Sequence, residues 1–253
     1  MFNYSQTFTI TFGDQAENHH GMQMIGEAAA KGLTWKDLRD ITCYFNSCYS
    51  EIIRLDKFLP SDVNEEATIL IIHGGLNEIV DADAFYEEQA QLKKDTKAFM
   101  WGRVVNKHAR HNLCFGPEGQ EADYENGRGT VVPFSDVPLL SKVRDHLERL
   151  SPHFNQLVAE GNYYYDLKKC GIGFHGDAER RIVVGIRVGA DLPLHFQWYH
   201  KNKPVGKRCE ISLGHGDIYI MSDKAVGYDW KCSSKYTLRH AAGADKYLYP
   251  KEK

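Results

Sequence analysis

Hydrophobic and polar residues alternate singly in several short stretches of this chain and recur at helical spacing in others. Residues 7–12 (TFTITF) alternate and are rich in β-branched and aromatic types, which predicts a strand ended by Gly13-Asp14. Residues 22–30 and 35–49 carry helical spacing, separated at Lys31-Gly32. Thr34, with Asp37 three positions on, is placed to cap the second of these. Residues 67–73 (ATILIIH) predict a buried strand stopped by Gly74-Gly75, and residues 82–95 a helix with Ala82, Phe85, Tyr86 and Ala90 along one stripe. The stretch 110–132 is glycine-rich and irregular. Residues 135–157 predict an amphipathic helix with Leu140, Val143, Leu147 and Leu150 on one face, interrupted by Pro152. After Tyr163 come short β-like runs at 182–188, 194–199, 210–213, 218–221 and 236–240, which suggest an antiparallel sandwich or barrel. No Pro/Ser-rich linker divides the chain, so the N-terminal elements are expected to pack on the β core.

Composition narrows this picture. A chain of 253 residues with 42% hydrophobic and 26% charged residues is globular in character. The apolar run at 67–72 is too short to span a bilayer, so no membrane partner is expected. The N-terminus has neither a basic region nor an apolar one, so no export signal is read and a cytoplasmic or nuclear location is expected. Six cysteines (43, 48, 114, 170, 209, 232) include no C-x-x-C pair; they are read as reduced thiols, most of them buried as small hydrophobes. The net charge of -3 argues against a broad basic surface for nucleic acid. It leaves room for local basic strips, at 103–111 and at Lys201, Lys203, Lys207 and Arg208.

The sharpest chemical feature is Phe174-His175-Gly176-Asp177. On a strand, residues two apart share a face, so His175 and Asp177 can present an imidazole and a carboxylate to one point. That is two-thirds of the 2-His-1-carboxylate triad of non-haem Fe(II) oxygenases. The motif alone is weak, and a surface turn is its plain reading. Its context is more specific. Asn162-Tyr163-Tyr164 precedes His175, His215-Gly216-Asp217 leads into a short strand ending at Met221, and Tyr236-Thr237-Leu238-Arg239 follows. Upstream stand Arg110 to Gly116, Tyr124 to Gly127, Pro138-Leu139-Leu140 and Phe154-Asn155-x-Leu157, in that order.

In this order and spacing the sequence, from about residue 100 to 243, resembles the AlkB-like Fe(II)- and 2-oxoglutarate-dependent dioxygenases. The resemblance implies an α+β fold with a double-stranded β-helix (jelly-roll) core and flanking helices. Residues 96–253 would form the dioxygenase domain and residues 1–95 an N-terminal α/β extension packed on it. It implies iron held by His175, Asp177 and a third donor, with 2-oxoglutarate and dioxygen as co-reactants. Asn162 and Tyr164 would hydrogen-bond 2-oxoglutarate, and an arginine would pair with its far carboxylate. The chemistry would be hydroxylation of a C–H bond, on a methylated nucleobase in a nucleic acid or nucleotide by analogy.

The chain departs from the family pattern at the third donor. The expected second histidine falls on Trp230 or Lys231, neither a normal Fe(II) ligand. His240 serves if the loop before the last strand is longer here; Asp229 would give a two-carboxylate site; otherwise the site is incomplete. Arg239 and His240 are neighbours and face opposite ways on a regular strand, so without a bulge only one enters a pocket. With His240 inside, Arg187 becomes the carboxylate partner; with Arg239 inside, the third ligand lies elsewhere. An arginine suits the role because its planar fork matches a carboxylate. His215 reads as a turn residue, His195 and His200 as structural, and His108 and His111 as members of a solvated basic cluster. The Tyr163–Tyr165 run also fits simple sandwich packing. Two other functions stay open: a catalytically degenerate β-helix binding module with an incomplete metal site, and a metal-independent β-sandwich interaction protein.

Overall fold

The alternation at the N-terminus produces a strand buried on both faces. The structure, a computed structural model, describes residues 4–249, and its first strand, β1, spans Thr7–Gly13 with every residue buried. Phe8, Ile10 and Phe12 join an apolar cluster with Phe85, Leu140, Val143 and Leu147, while Thr7, Thr9 and Thr11 face the other way. The strands that follow are β2 (Gln15–Glu17), β3 (Met24–Gly26), β4 (Ser50–Arg54), β5 (Thr68–Ile72), β6 (Lys97–Met100), β7 (Arg103–Asn106), β8 (His111–Gly116) and β9 (Val131–Pro133). Then come β10 (Val158–Tyr164), β11 (Gly171–His175), β12 (Val184–Gly189), β13 (Leu194–His200), β14 (Lys203–Ile211), β15 (Ile218–Met221) and β16 (Thr237–Gly243). They build an eight-stranded sheet, ordered β4-β5-β15-β12-β1-β10-β8-β9, and a four-stranded sheet, ordered β11-β16-β13-β14. Two hairpins, β2-β3 and β6-β7, stand apart. β8 and β9 pair in parallel; the other neighbours in both large sheets run antiparallel. The architecture is mixed α+β, dominated by strands.

Three helices, α1 (Trp35–Thr42), α2 (Ala82–Gln91) and α3 (Pro138–Leu150), cover one face of the large sheet. Two short ones, α4 (Asp223–Val226) and α5 (Asp245–Leu248), lie against β16 of the small sheet. The Thr34 cap forms: its hydroxyl accepts from the Asp37 amide and its own amide donates to the Asp37 carboxylate at 2.8 Å. α3 buries the face read from the sequence, Leu140, Val143, Leu147 and Leu150. Alternate residues of the central strands divide between two cores. Leu70, Ile72, Val184, Ile186, Ile218 and Ile220 lie in the cluster that includes the helix residues. Ile69, Ile71, Val183 and Met221 pack with Phe196, Trp198 and Leu238 of the small sheet. Among the described residues no helix is long and apolar enough to cross a membrane.

Three expectations change. The division at residue 95 is not a structural boundary, because β1 lies between β10 and β12 while β4 and β5 extend the same sheet beyond β15. The buried backbone N–H and C=O groups of β1 need hydrogen-bonding neighbours on both edges, and those neighbours, β10 and β12, come from the second half of the chain. Residues 22–30 hold the strand β3 rather than a helix, with Gly21 and Gly26 at positive φ. Helix α1 stops at Thr42, well short of residue 49. All six cysteines are free; Cys114, Cys170 and Cys209 are buried and Cys43 is exposed.

Candidate metal centre

A β-bulge aims the first histidine. On β11, Ile172 lies opposite Ala242 and His175 opposite His240, so three steps on one strand match two on the other. The extra residue turns His175 to the same side as Ile172, and both line the space between the sheets. The chain then passes Gly176, where a Cβ atom would sit 2.2 Å from the Gly227 carbonyl oxygen. Only glycine permits that approach, which lets the Asp177 amide donate to the Val226 carbonyl at 3.0 Å. Asp177 is thereby anchored to the end of α4 with its carboxylate beside the imidazoles.

His175 Nε2 and His240 Nε2 each lie 3.5 Å from Asp177 Oδ1. The two rings meet edge to face at 4.6 Å, and the three ligand atoms are all within 4.8 Å of one another. His175 Nδ1 lies 2.8 Å from the Gly173 carbonyl, so the proton belongs on Nδ1 and the Nε2 lone pair faces Asp177. Burial, with His240 alongside, holds the His175 imidazole down to about 3, so it is neutral at physiological pH, the form that ligates. Burial alone would raise the Asp177 carboxyl, but His240, Arg180 and His175 hold it well below the usual carboxylate range. Two imidazoles and one carboxylate facing a common point suit a divalent first-row metal and leave coordination positions free.

The trio opens into a cavity of about 400 Å³. Its walls are the threonine face of β1 (Thr9, Thr11), the polar face of β10 (Glu160, Asn162, Tyr164), Arg187 of β12 and Tyr219 of β15. Gly185 gives Tyr219 its place: a Cβ there would fall 1.9 Å from the tyrosine ring. Arg187 is 1% exposed, and its Nε and Nη1 find no hydrogen-bond partner among the described residues. Thr9, its cross-strand neighbour, also has an unpartnered hydroxyl. Desolvation lowers the Arg187 guanidinium below its ordinary value. Buried donors left without acceptors are costly, and several together at one cavity end mark a place for an anion.

Arg180 is the opposite case. It is 2% exposed, and its guanidinium meets Glu160 at 2.7 Å, Glu179 at 2.9 Å and Asp177 at 3.8 Å. Burial opposes its charge, but these three carboxylates raise it above its ordinary value. Burial and the nearby Asp177 push the Glu179 carboxyl up to about 7. Glu160 accepts further bonds from Asn112 and Asn162, and the Asn162 oxygen accepts from Asn112 at 2.7 Å and from Arg110. A continuous polar network thus runs from Asp177 along the cavity wall.

Of the residues singled out in the sequence, His175, Asp177 and His240 meet at one point, and Asn162, Tyr164 and Arg187 line the same cavity. Arg239 does not. It follows strand alternation to the far face of β16, stacks on Tyr199 and Trp230, and donates to Asn202 Oδ1 at 2.9 Å. Asp229 is bound to Lys224 at 2.9 Å, away from the trio. His215 accepts from the Gly189 amide in its turn, His200 stacks on Tyr236, and His111 stacks on Tyr165. Sequence reasoning gave no role to Arg180, Glu160, Thr9 or Tyr219. Glu160 carried a usable signal, standing two residues before Asn162 and four before Tyr164 on one strand face. Arg180 carried none, because its three acidic partners converge only in the fold.

No family model matches the chain. It is 47% identical over 253 residues to "Uncharacterized protein R156" of Acanthamoeba polyphaga mimivirus, a match that covers 98% of this chain and 100% of the relative. At that identity and coverage, the chain belongs to the same family as this viral protein.

Proposed function

We propose that the protein is an Fe(II)- and 2-oxoglutarate-dependent dioxygenase, AlkB-like in its motifs, on a double-stranded β-helix. The observation that carries the reading is one cavity with the His175–Asp177–His240 trio on its wall and the unpartnered Arg187 guanidinium among its lining residues. The β-helix is supported by the path of the chain. β10, β12 and β15 lie in the large sheet, and β11, β13, β14 and β16 in the small one, so the chain winds between them. The neighbours β15-β12-β1-β10 then match β11-β16-β13-β14 strand for strand, with β1 supplied from the N-terminal end.

In this reading His175, Asp177 and His240 hold the iron. Arg187 offers its fork to the far carboxylate of 2-oxoglutarate, with the Thr9 hydroxyl beside it and Tyr164 and Tyr219 along the wall. Asn162 is already engaged at both ends of its amide, so it orients Glu160 and Arg110 and keeps one N–H for the cosubstrate. Iron and 2-oxoglutarate together supply oxidative decarboxylation coupled to hydroxylation of a C–H bond. The protein orients both and keeps bulk water out of a largely buried site. The reading as a degenerate binding module arose from the missing histidine near residue 230, and it loses that motive with His240 beside His175.

The test is anaerobic Fe(II) binding with 2-oxoglutarate, followed by succinate release in air. The wild type is expected to bind one iron and release succinate, and His175→Ala and His240→Ala to lose both. A wild type that binds neither iron nor 2-oxoglutarate refutes the assignment.

A further inference from the structure

The cavity holds a second arginine whose charge no carboxylate balances. Arg110, just before β8, lines the cavity and is half-buried. It forms no ion pair among the described residues; its partner is the neutral amide oxygen of Asn162. Every carboxylate lining the cavity is engaged elsewhere. Glu160 and Glu179 hold Arg180, Asp177 sits between the two imidazoles, and Glu17 accepts from the Gly21 amide and faces His20. The charge behind Arg110 adds to its own. Lys107 is buried and donates only to Asn18 and Asn112 oxygens, with Asp95 and Glu160 near enough to act on its charge; Lys231, which also lines the cavity, has no acidic partner among the described residues. An unpaired guanidinium on a cavity wall recruits an anion, because its fork forms paired charge-assisted bonds with carboxylate or phosphate oxygens.

We propose that Arg110 is the centre of an oxyanion subsite that seats the carboxylate or phosphate of a small-molecule substrate and so directs its C–H bond toward the His175–Asp177–His240 trio. The inference rests on the reading of the cavity as an oxygenase site. The proposed role of Arg110 is separate from that of Arg187, which that reading gives to 2-oxoglutarate. Arg110 and His175 line the same cavity. Volume favours a small molecule over a polymer. About 400 Å³ must hold cosubstrate and substrate together, which is at the small end of ligand cavities. Glu17, His19 and His20 also line the cavity, and Asn18 between them is held by Lys107 and by Asp95 at 2.7 Å.

The experiment is calorimetric titration of benzoate, phenyl phosphate and a twelve-nucleotide single-stranded DNA into the full chain, with and without Ni(II) and 2-oxoglutarate. It compares wild type, Arg110→Met and Arg110→Lys. The wild type is expected to bind at least one of the two aryl oxyanions. Arg110→Met should weaken that binding about 10-fold or more, and Arg110→Lys by less, through loss of charge-assisted bonds. The affinity for 2-oxoglutarate should be the same in all three proteins. An oxyanion that binds the wild type and Arg110→Met equally, or no binding of either oxyanion, overturns the subsite. So does a parallel loss of 2-oxoglutarate affinity, which would give Arg110 to the cosubstrate. Tight DNA binding that depends on Arg110, without aryl oxyanion binding, overturns the small-molecule assignment. The metal-free arm separates this inference from the oxygenase reading: a failed metal site with Arg110-dependent oxyanion binding refutes only the latter.

Discussion

Arg180 and Arg187 line one cavity, are 2% and 1% exposed, and have opposite surroundings. Arg180 is held by Glu160, Glu179 and Asp177. Arg187 has two nitrogens without any acceptor. A buried charge is costly to desolvate and is tolerated when its partners are in place. Arg180 meets that condition within the folded chain and therefore belongs to the architecture, fixing Asp177 and the β10 wall. Arg187 does not, and in the proposed reading its partner is the far carboxylate of 2-oxoglutarate. The same contrast separates the two faces of β1, where Phe8, Ile10 and Phe12 fill a core and Thr9, directly opposite Arg187, keeps an unpartnered hydroxyl. On β1 the unpartnered buried hydroxyl of Thr9 lies on the side that lines the cavity of the His–Asp–His trio, as expected where function competes with stability.

The contrast is sharpest in stability. Arg180→Met leaves three carboxylates around an apolar side chain and should lower unfolding stability by about 3–5 kcal/mol, read by urea titration of the metal-free protein. A change below about 1 kcal/mol would contradict the structural role of Arg180.

The pH dependence of this cluster is the next largest effect. With the Glu179 carboxyl raised from 4.5 to about 7, the folded chain keeps a proton that the unfolded chain releases. Its stabilising share is complete below pH 4.5 and is lost as pH rises through 7. The slope is at most one proton, about 1.4 kcal/mol per pH unit. Glu179→Gln should flatten the metal-free stability curve across that window, and an unchanged slope would assign it to other groups.

Arg187→Met should behave in reverse to Arg180→Met. It removes an unmatched buried charge, so the metal-free protein should keep its stability within about 1 kcal/mol or gain some. A loss of about 3 kcal/mol would show that the guanidinium is held by the fold after all. Smallest is Thr9→Val, which deletes an unpartnered hydroxyl at nearly constant shape. Its thermal midpoint should match or exceed that of the wild type, and a fall of several degrees would place a structural bond there.

Much of this was legible in residue order. β1 follows from alternation, β5 from its apolar run, β12, β13, β15 and β16 from short β-like runs between turns, and α3 from its leucine and valine stripe. His175 and Asp177 stand out by their spacing, and the conflict between Arg239 and His240 follows from strand alternation alone. Its resolution does not, because which of the two faces inward depends on the pairing of β16 with β11 and β13. The bulge before His175 is equally invisible, since it exists only against a partner strand. The role of the N-terminus was hidden for the same reason: insertion of β1 between β10 and β12 makes contacts across about 150 and about 180 residues of sequence. The failed helix at 22–30 shows the limit of periodicity where Gly21 and Gly26 take positive φ and few apolar residues are buried.

The most direct test of the central claim is the coupling of metal and anion in one site. 2-Oxoglutarate is titrated into the wild type, Arg187→Met and His240→Ala, each with and without Co(II) under anaerobic conditions. The account predicts one equivalent bound by the cobalt-loaded wild type, with affinity reduced about 10-fold or more when cobalt, Arg187 or His240 is removed. Equal affinity in all of these conditions, or no binding to the cobalt-loaded wild type, would contradict it.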